Sequence, residues 1–263
     1  MRSFLLPSFL LIAGATVATP ALADDPTAPP GDFTITGSAA IVSQYRFRGI
    51  SQSDNKPAVQ GAFTLSHKSG FYVSVWGSSA SAGNSVVNIG GSEIDVYGGY
   101  THALGASGLT VDAGLYGYIY PGASAGNYYE LYGSLSKTYG PATAKVGVNF
   151  APGQKVFDAA PTNHNTYVYG ELSAALPGTP VTLHSHLGHT GGGFDYTKQY
   201  LDYSVGASYK WKALTFDLSW VGTNISHADT RRAPFLDQTG NPSPFQTYRA
   251  AKGVVLGSVT ASF

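Results

Sequence analysis

Apolar and polar residues alternate strictly along most of this chain. In LTFDLSW, residues 214–220, leucine, phenylalanine, leucine and tryptophan fall on one side, while threonine, aspartate and serine fall on the other. The same two-residue period recurs in segments 33–41, 109–116, 144–150 and 201–211. Because successive side chains of a β-strand point to opposite faces, the period predicts strands with one apolar and one polar face. About twelve such segments follow one another, and none has the period of an amphipathic helix.

The connections between these segments alternate in length. Short turns, such as 68–70 and 139–141, alternate with longer loops, such as 80–91 and 151–164. A soluble β-sandwich shares the side-chain alternation, but short turns at one end and long loops at the other are typical of a membrane barrel. Aromatic residues near the segment ends fit its two interfacial girdles. We therefore predict an all-β fold, a transmembrane antiparallel up-and-down β-barrel of about 12 strands over residues 33–263.

The beginning of the chain is typical of an exported protein. Arg2 precedes an apolar run, and Ala21 and Ala23 supply the small residues of a cleavage site, so residues 1–23 are interpreted as a signal peptide. Residues 24–32 are polar and rich in proline, which predicts a flexible lead-in. We expect export to the outer membrane of a Gram-negative bacterium.

Composition excludes several classes of protein. The 263 residues include no cysteine, so an exported chain of this kind relies on a core, a closed sheet or a bilayer rather than on disulfides. Its 15 basic and 15 acidic side chains balance, which gives no electrostatic case for binding nucleic acid. After the leader, no segment offers the roughly 18 consecutive apolar residues that a membrane helix needs.

The predicted polar faces carry many ionisable residues. Such charges are tolerated inside a barrel only where water or partners meet them. Two interpretations remain open, namely a hydrated channel with a charged constriction, and a lumen closed by its own salt bridges and tyrosines. The candidates for the lumen or constriction are Arg46, Arg48, Glu93, Asp95, Asp112, Glu130, Lys145, Glu171, His184, His186, Asp202, Lys210 and Asp217.

The stretch VSQYRFRGIS contains two of these arginines. Counting by two from Phe33 places Arg46 and Arg48 on the inner face, near the outer end of the first strand. The same count places Tyr45 and Phe47 on the outer face, within the aromatic girdle against lipid.

Candidate catalytic and metal chemistry is sparse. His184 and His186 are two residues apart on one strand face and could chelate a metal together, but no closed ligand set and no cysteine accompany them. A pair of polar lumen residues is the preferred interpretation, and we predict no metal and no cofactor. The sequence contains no G-x-S-x-G motif and no outward serine and histidine at the same height. We predict that the protein is not an enzyme.

Residues 42–79 resemble the signature of the TorF-type porins, a family of exported proteobacterial proteins. The resemblance implies an outer-membrane β-barrel with a porin-like role, and it implies no particular solute. The residues that carry it are Ser43, Tyr45, Arg46, Arg48, Gly49, Lys56, Pro57, Gln60, Gly70, Phe71, Tyr72 and Trp76.

These observations predict a porin-like channel for passive diffusion of small polar solutes. The alternative is a closed outer-membrane barrel whose surface loops bind a partner or ligand without transport. Expected partners are outer-membrane lipid and lipopolysaccharide, small polar solutes, and the barrel assembly machinery through the C-terminal Phe263. We expect the longest loop, 224–250, to be a solvated, mobile loop, and the alternatives are a constriction folded into the mouth or a contact with lipopolysaccharide phosphates. Its role, the solute and the oligomeric state stay open.

Overall fold

The computed structural model describes most of the chain, in the ranges 31–80, 89–158, 160, 162–195, 197–234 and 241–263. The predicted signal peptide and residues 24–30 of the predicted lead-in lie outside the described residues. Within the described ranges, no helix is long and apolar enough to cross a bilayer.

Twelve strands form a closed antiparallel barrel in which each strand pairs with the next along the chain and the last pairs with the first. The predicted fold class is therefore confirmed. The closing seam is short, because only the five residue pairs from Ser38↔Ser262 to Val42↔Ser258 join the first and last strands. The barrel strands are β1 (Phe33–Val42), β4 (Ala58–His67), β5 (Phe71–Ser79), β6 (Ser92–Ala103), β7 (Leu109–Ile119), β8 (Tyr128–Tyr139), β9 (Ala142–Ala151), β10 (Asn165–Ala175), β11 (Val181–Gly192), β12 (Tyr200–Trp211), β13 (Leu214–Thr223) and β14 (Val254–Ser262).

The two faces of the wall follow the sequence pattern. On β13, Leu218 is 62% exposed on the outside, whereas the neighbouring Asp217 and Ser219 are 8% and 1% exposed because they point into the barrel. Closure pairs the backbone of each strand on both sides, so the wall can be apolar outside without leaving a free sheet edge.

The connections have the predicted order of lengths. Residues 68–70 and 212–213 form short turns, whereas 13 residues separate β9 from β10 and 30 residues separate β13 from β14. We refer to the two ends of the barrel as the short-turn end and the long-loop end.

The described part of the longest loop contains two helices that the sequence pattern did not predict, α1 (His227–Arg232) and α2 (Pro244–Ala251). Both are too short to show a helical period, although Pro244 at the start of α2 is a favoured first helical residue. The expectation of a solvated loop was wrong for α2, which buries Ala250 and Ala251. Short 3-10 helices lie at Gly105–Ser107, Ser124–Gly126 and Lys155–Phe157.

Beyond β1, the chain turns into the barrel instead of continuing the wall. The two-residue strands β2 (Arg46–Phe47) and β3 (Ile50–Ser51) pair as a hairpin. Its tip requires left-handed backbone at Arg48 and Gly49, with φ of 46° and 78°. We call residues 45–55 the inner segment.

The predicted lipid-facing position of Tyr45 and Phe47 is wrong. The ring of Tyr45 packs against Trp76 with centroids 5.3 Å apart, and the ring of Phe47 packs against Tyr118 at 5.6 Å. Alternation assigns faces only while a strand continues, and β1 ends three residues before Tyr45. Both faces of the inner segment are therefore enclosed by the barrel.

Candidate functional site: the barrel interior

Arg46 attaches the inner segment to the longest loop. Its guanidinium donates hydrogen bonds to the backbone carbonyls of Gly49 at 2.7 Å and of Ala250 and Lys252 at 3.0 Å. It also donates to Oδ1 of Asn55 at 3.1 Å. Arg46 is thus buried inside the barrel, in the short strand β2 rather than on the first strand of the wall, and its partners are backbone carbonyls and an amide rather than a carboxylate.

Arg48, at the tip of the hairpin, reaches across the lumen to Glu130 on β8. Its Nη2 lies 2.8 Å and 2.6 Å from the two carboxylate oxygens, and both side chains are buried. Tyr118 and Asn149 also donate to Glu130, at 3.1 Å and 2.9 Å. The guanidinium carbon of Arg48 lies 4.1 Å from the centroid of the Tyr167 ring. This buried ion pair bridges the inner segment and the wall.

A second ionic group lies on β9 to β12. The Lys145 ammonium lies 3.6 Å from the Glu171 carboxylate. The two ring nitrogens of His186 contact different carboxylates, because Nδ1 lies 3.4 Å from Glu171 and Nε2 lies 3.1 Å from Asp202. The hydroxyl of Tyr167 lies 2.7 Å from His186 and donates to Asp202 at 3.1 Å. Neighbouring strands place these side chains in one row, since Lys145 pairs in register with Glu171 and Glu171 with His186.

A cavity of about 120 Å³ lies between these two groups. That volume has room for several water molecules. Its lining joins the inner segment to six wall strands, β7 to β12, and includes Arg46, Phe47, Arg48, Tyr116, Tyr118, Tyr132, Lys145, Asn149, Tyr167, Tyr169, Glu171, His186 and Asp202.

Three predicted carboxylates lie outside this cavity among tyrosines. Glu93 and Asp95 on β6 are 1% and 0% exposed, and Asp112 on β7 is also buried. Each accepts a hydrogen bond from a phenolic hydroxyl, namely Tyr120 to Glu93 at 3.2 Å, Tyr116 to Asp95 at 3.0 Å and Tyr72 to Asp112 at 2.9 Å.

The tyrosine rings stack on one another and fill this part of the lumen. Tyr97 and Tyr116 stack with centroids 4.5 Å apart, and Tyr118 and Tyr128 stack at 4.2 Å. Offset aromatic packing of this kind fills volume while the hydroxyls find polar partners. The cross-section is therefore asymmetric, with a packed aromatic side on β5 to β8 and a more open ionic side on β9 to β12.

The remaining candidates lie closer to the short-turn end. His184 lies 2.6 Å from Asp217, which also accepts from Ser219 at 2.5 Å. Lys210 is exposed near its turn and is not brought together with the other candidates. Within the described ranges, no cluster of three or more histidine, aspartate or glutamate side chains is arranged to hold a metal ion.

Sequence reasoning missed the contact between Asp54 and Arg249, which joins the inner segment to α2 by an ion pair. Lys56 lies 3.2 Å from the same carboxylate. Burial acts to raise the pKa of Asp54, but the hydrogen bonds and charges of Arg249 and Lys56 outweigh it and lower the pKa below its ordinary value. The available signal was the turn sequence SDNK, where Asp54 and Asn55 adopt left-handed backbone with φ of 53° and 56°.

The barrel is similar in fold to several solved outer-membrane channels. The KdgM porin, solved in complex with disordered oligogalacturonate, is 12% identical with a TM-score of 0.52, covering 88% of this chain and 99% of that chain. The NanC porin is 11% identical with a TM-score of 0.52 and the same coverage. The COG4313 outer membrane channel from Pseudomonas putida F1 is 12% identical with a TM-score of 0.51, covering 93% of this chain and 98% of that chain. At these identities the likeness establishes the fold alone.

Sequence comparison establishes a family. No curated protein matches the sequence. The profile of Gcw_chp, described as a bacterial protein of unknown function, matches residues 26–243, which is most of the chain. The chain therefore belongs to the Gcw_chp family of bacterial proteins.

Proposed function

We propose that this protein is an outer-membrane channel for passive diffusion of small polar solutes. The observation that carries the proposal is the cavity inside the closed wall, which is lined by Arg46 and Arg48 of the inner segment on one side and by Lys145, Glu171 and His186 of the wall on the other. Charged side chains are retained inside a barrel at a large desolvation cost unless water and partners meet them, so a hydrated path explains their presence.

The outer surface supports a location in lipid. Large apolar side chains are exposed on the outer face of all twelve strands of the barrel, for example Ile41, Leu172 and Leu218. Aromatic side chains lie exposed near the short-turn end, as do Phe33 and Tyr139. Such a surface is stable against hydrocarbon and interfacial headgroups, and it fits a bilayer with lipopolysaccharide at the long-loop end.

The inner segment acts as the constriction in this proposal. It narrows the long-loop end, and its ion pair with Glu130 divides the remaining space into the packed aromatic side and the ionic side. Solutes are then selected by size and by hydrogen bonding to fixed polar groups, without a chemical step. The proposal assigns no catalytic residue.

The resemblance of residues 42–79 to the TorF-type porins supports the same role, because the inner segment lies within that stretch. Export through the signal peptide at residues 1–23 is part of the proposal. Recognition of Phe263 by the barrel assembly machinery stays a prediction.

A closed barrel with binding loops is the second candidate. The observation that favours it is the aromatic side of the lumen, where stacked tyrosines and the buried Glu93 and Asp95 leave little free space. In this alternative the inner segment and α2 form a permanent plug, and the long loops present the binding surface.

Conductance separates the two candidates. The purified full-length mature barrel, inserted in a planar lipid bilayer in potassium chloride, is expected to give discrete current steps. The control is the same detergent preparation without protein, alongside a known porin that verifies the bilayer. If this protein gives no current steps in bilayers where the known porin conducts, the result would contradict the channel and favour the closed barrel.

A further inference from the structure

We infer that the cavity beside the inner segment selects small anions over cations, a class that includes chloride and short carboxylates. The inference rests on the proposed channel and names the charge class of its solutes. Three observations lead to it, namely the charges that line the cavity, the neutral partners of Arg46 and the charges of the long loops.

The lining of the cavity carries more cations than carboxylates. Its basic side chains are Arg46, Arg48, Lys145 and His186, and its acidic side chains are Glu171 and Asp202. His186 counts as a cation because its two ring nitrogens lie 3.4 Å from one of these carboxylates and 3.1 Å from the other. A neutral imidazole has only one N–H to donate, so contact with two carboxylates favours the protonated ring.

Four other carboxylates of the wall do not reach the cavity surface. Glu130, which pairs with Arg48, is 0% exposed and is not part of the lining. Glu93, Asp95 and Asp112 are also buried and outside the lining. Each of the four accepts a hydrogen bond from a tyrosine hydroxyl. A solute in the cavity therefore contacts a surface in which cations predominate.

Within the described ranges, Arg46 is a lining cation that has no carboxylate in contact. Its guanidinium donates to five neutral oxygens, which are the carbonyls of Gly49, Ala250 and Lys252 and the side-chain amide oxygens of Gln44 and Asn55. These bonds satisfy the donors without cancelling the charge. A fixed positive charge beside a hydrated passage attracts anions and repels cations.

The long loops have the same sign of charge. The loops contain nine basic and five acidic side chains in the six connections 43–57, 80–91, 120–127, 152–164, 193–199 and 224–253. Lys56, Arg231 and Arg232 are exposed there. Exposed charges steer anions to the entrance at low salt, but at about 1 M salt a Debye length of about 3 Å screens them. Buried charges are screened much less, so high salt separates the cavity from the loops.

The test measures the reversal potential of the purified mature protein in a planar bilayer. A gradient of potassium chloride from about 0.3 to about 1 M keeps the exposed loop charges screened. We expect chloride to be about threefold or more as permeant as potassium, because the cationic lining is buried. A second gradient with potassium acetate is expected to give the same sign, which extends the selectivity to a short carboxylate.

Three variants localise the selectivity. Arg46→Gln removes the charge and is expected to lower the chloride-to-potassium permeability ratio about twofold or more. Arg46→Lys keeps the charge but not the planar set of donors, and it is expected to retain the ratio. Arg232→Gln makes the first change at an exposed position of α1 and is the matched control, with an unchanged ratio expected at high salt.

The outcomes separate the inference from the proposed function. Current steps with no anion preference in the wild-type protein would overturn the inference and leave the channel standing. Equal effects of Arg46→Gln and Arg46→Lys would also overturn it, because the residue would then act through its hydrogen bonds rather than through its charge. An absence of any current steps would contradict the channel itself, and the inference with it.

Discussion

Arg48 at the tip of the inner segment and Glu130 on β8 form an ion pair of 2.6 Å that is buried on both sides. The two residues are separated by 82 positions in sequence. This ion pair ties the tip of the hairpin to the wall of the barrel, in addition to the ring contacts of Tyr45 and Phe47 with Trp76 and Tyr118.

Removal of Arg48 tests the importance of that pair for stability. Arg48→Ala leaves Glu130 buried without its cation, so we expect the free energy of unfolding to fall by about 3–5 kcal/mol. The double variant Arg48→Ala, Glu130→Gln removes the stranded charge and is expected to recover part of that loss. Urea unfolding in lipid vesicles measures both, with the exposed Lys210→Ala as the control. Equal stability of the single variant and the wild type would mean that the pair does not hold the inner segment.

Ion selectivity tests whether the ionic side of the lumen borders the conducting path. Lys145→Gln removes a positive charge beside Glu171, so the reversal potential in a potassium chloride gradient is expected to shift toward cation preference. Lys137→Gln, the same change at an exposed position on β8, is the control and is expected to leave the potential unchanged. An unchanged potential for Lys145→Gln would place the path elsewhere.

The Asp54–Arg249 pair predicts an acid-sensitive inner segment. Because Arg249 and Lys56 lower the pKa of Asp54 despite its burial, the ionised form is favoured in the folded state. The stabilising contribution is complete above the ordinary carboxylate range, near pH 4, and is lost as pH falls through the lowered pKa. We expect channel conductance to rise reversibly as pH falls below about 4, where Asp54 begins to take up a proton in the folded state and the segment loosens.

Two variants check this assignment. Asp54→Asn is expected to conduct at the higher level throughout and to show no acid-dependent rise. Asp32→Asn removes a different ion pair, with Lys68 at the short-turn end, and is expected to retain the rise. A persistent rise in Asp54→Asn would assign the acid response to another group.

Gly49 tests the shape of the hairpin tip. A Cβ at this position would lie 2.8 Å from the carbonyl oxygen of Gly222, and φ is 78°, so Gly49→Ala is expected to destabilise the inner segment by about 1 kcal/mol or more. Gly105→Ala is the control, because Gly105 also has a positive φ of 54° but has open space around it. Limited proteolysis within the inner segment should be faster in Gly49→Ala only. Equal rates would show that the tip tolerates a side chain.

The wall of the barrel could be predicted because one rule governs it. Lipid outside and polar groups inside impose a two-residue period on strands such as β13, and the lengths of the connections then fix the topology. Helix α2 was not predicted because its eight residues are too few to show a helical period. Its burial also depends on the inner segment that it packs against.

The interior was only partly predictable. The alternation predicted that Arg46 and Arg48 point inward. It also predicted that the strand continues beyond Val42, where β1 ends, and therefore placed Tyr45 and Phe47 against lipid. The departure depends on contacts that are remote in sequence, such as those from Arg46 to Ala250 and from Arg48 to Glu130, and no local pattern encodes them. For Lys210, the alternation predicted the face of the strand. It did not predict that Lys210 lies far from the ionic groups of the lumen.

The short seam between β1 and β14 has a consequence for assembly. The inner segment follows β1 directly, and its anchors on Ala250 and Lys252 directly precede β14. These anchors come within reach only once the two edge strands meet, so a half-built wall would remain wide at its mouth. Closure of the wall and attachment of the inner segment are therefore coupled, because both depend on the chain segments that flank the seam between β1 and β14.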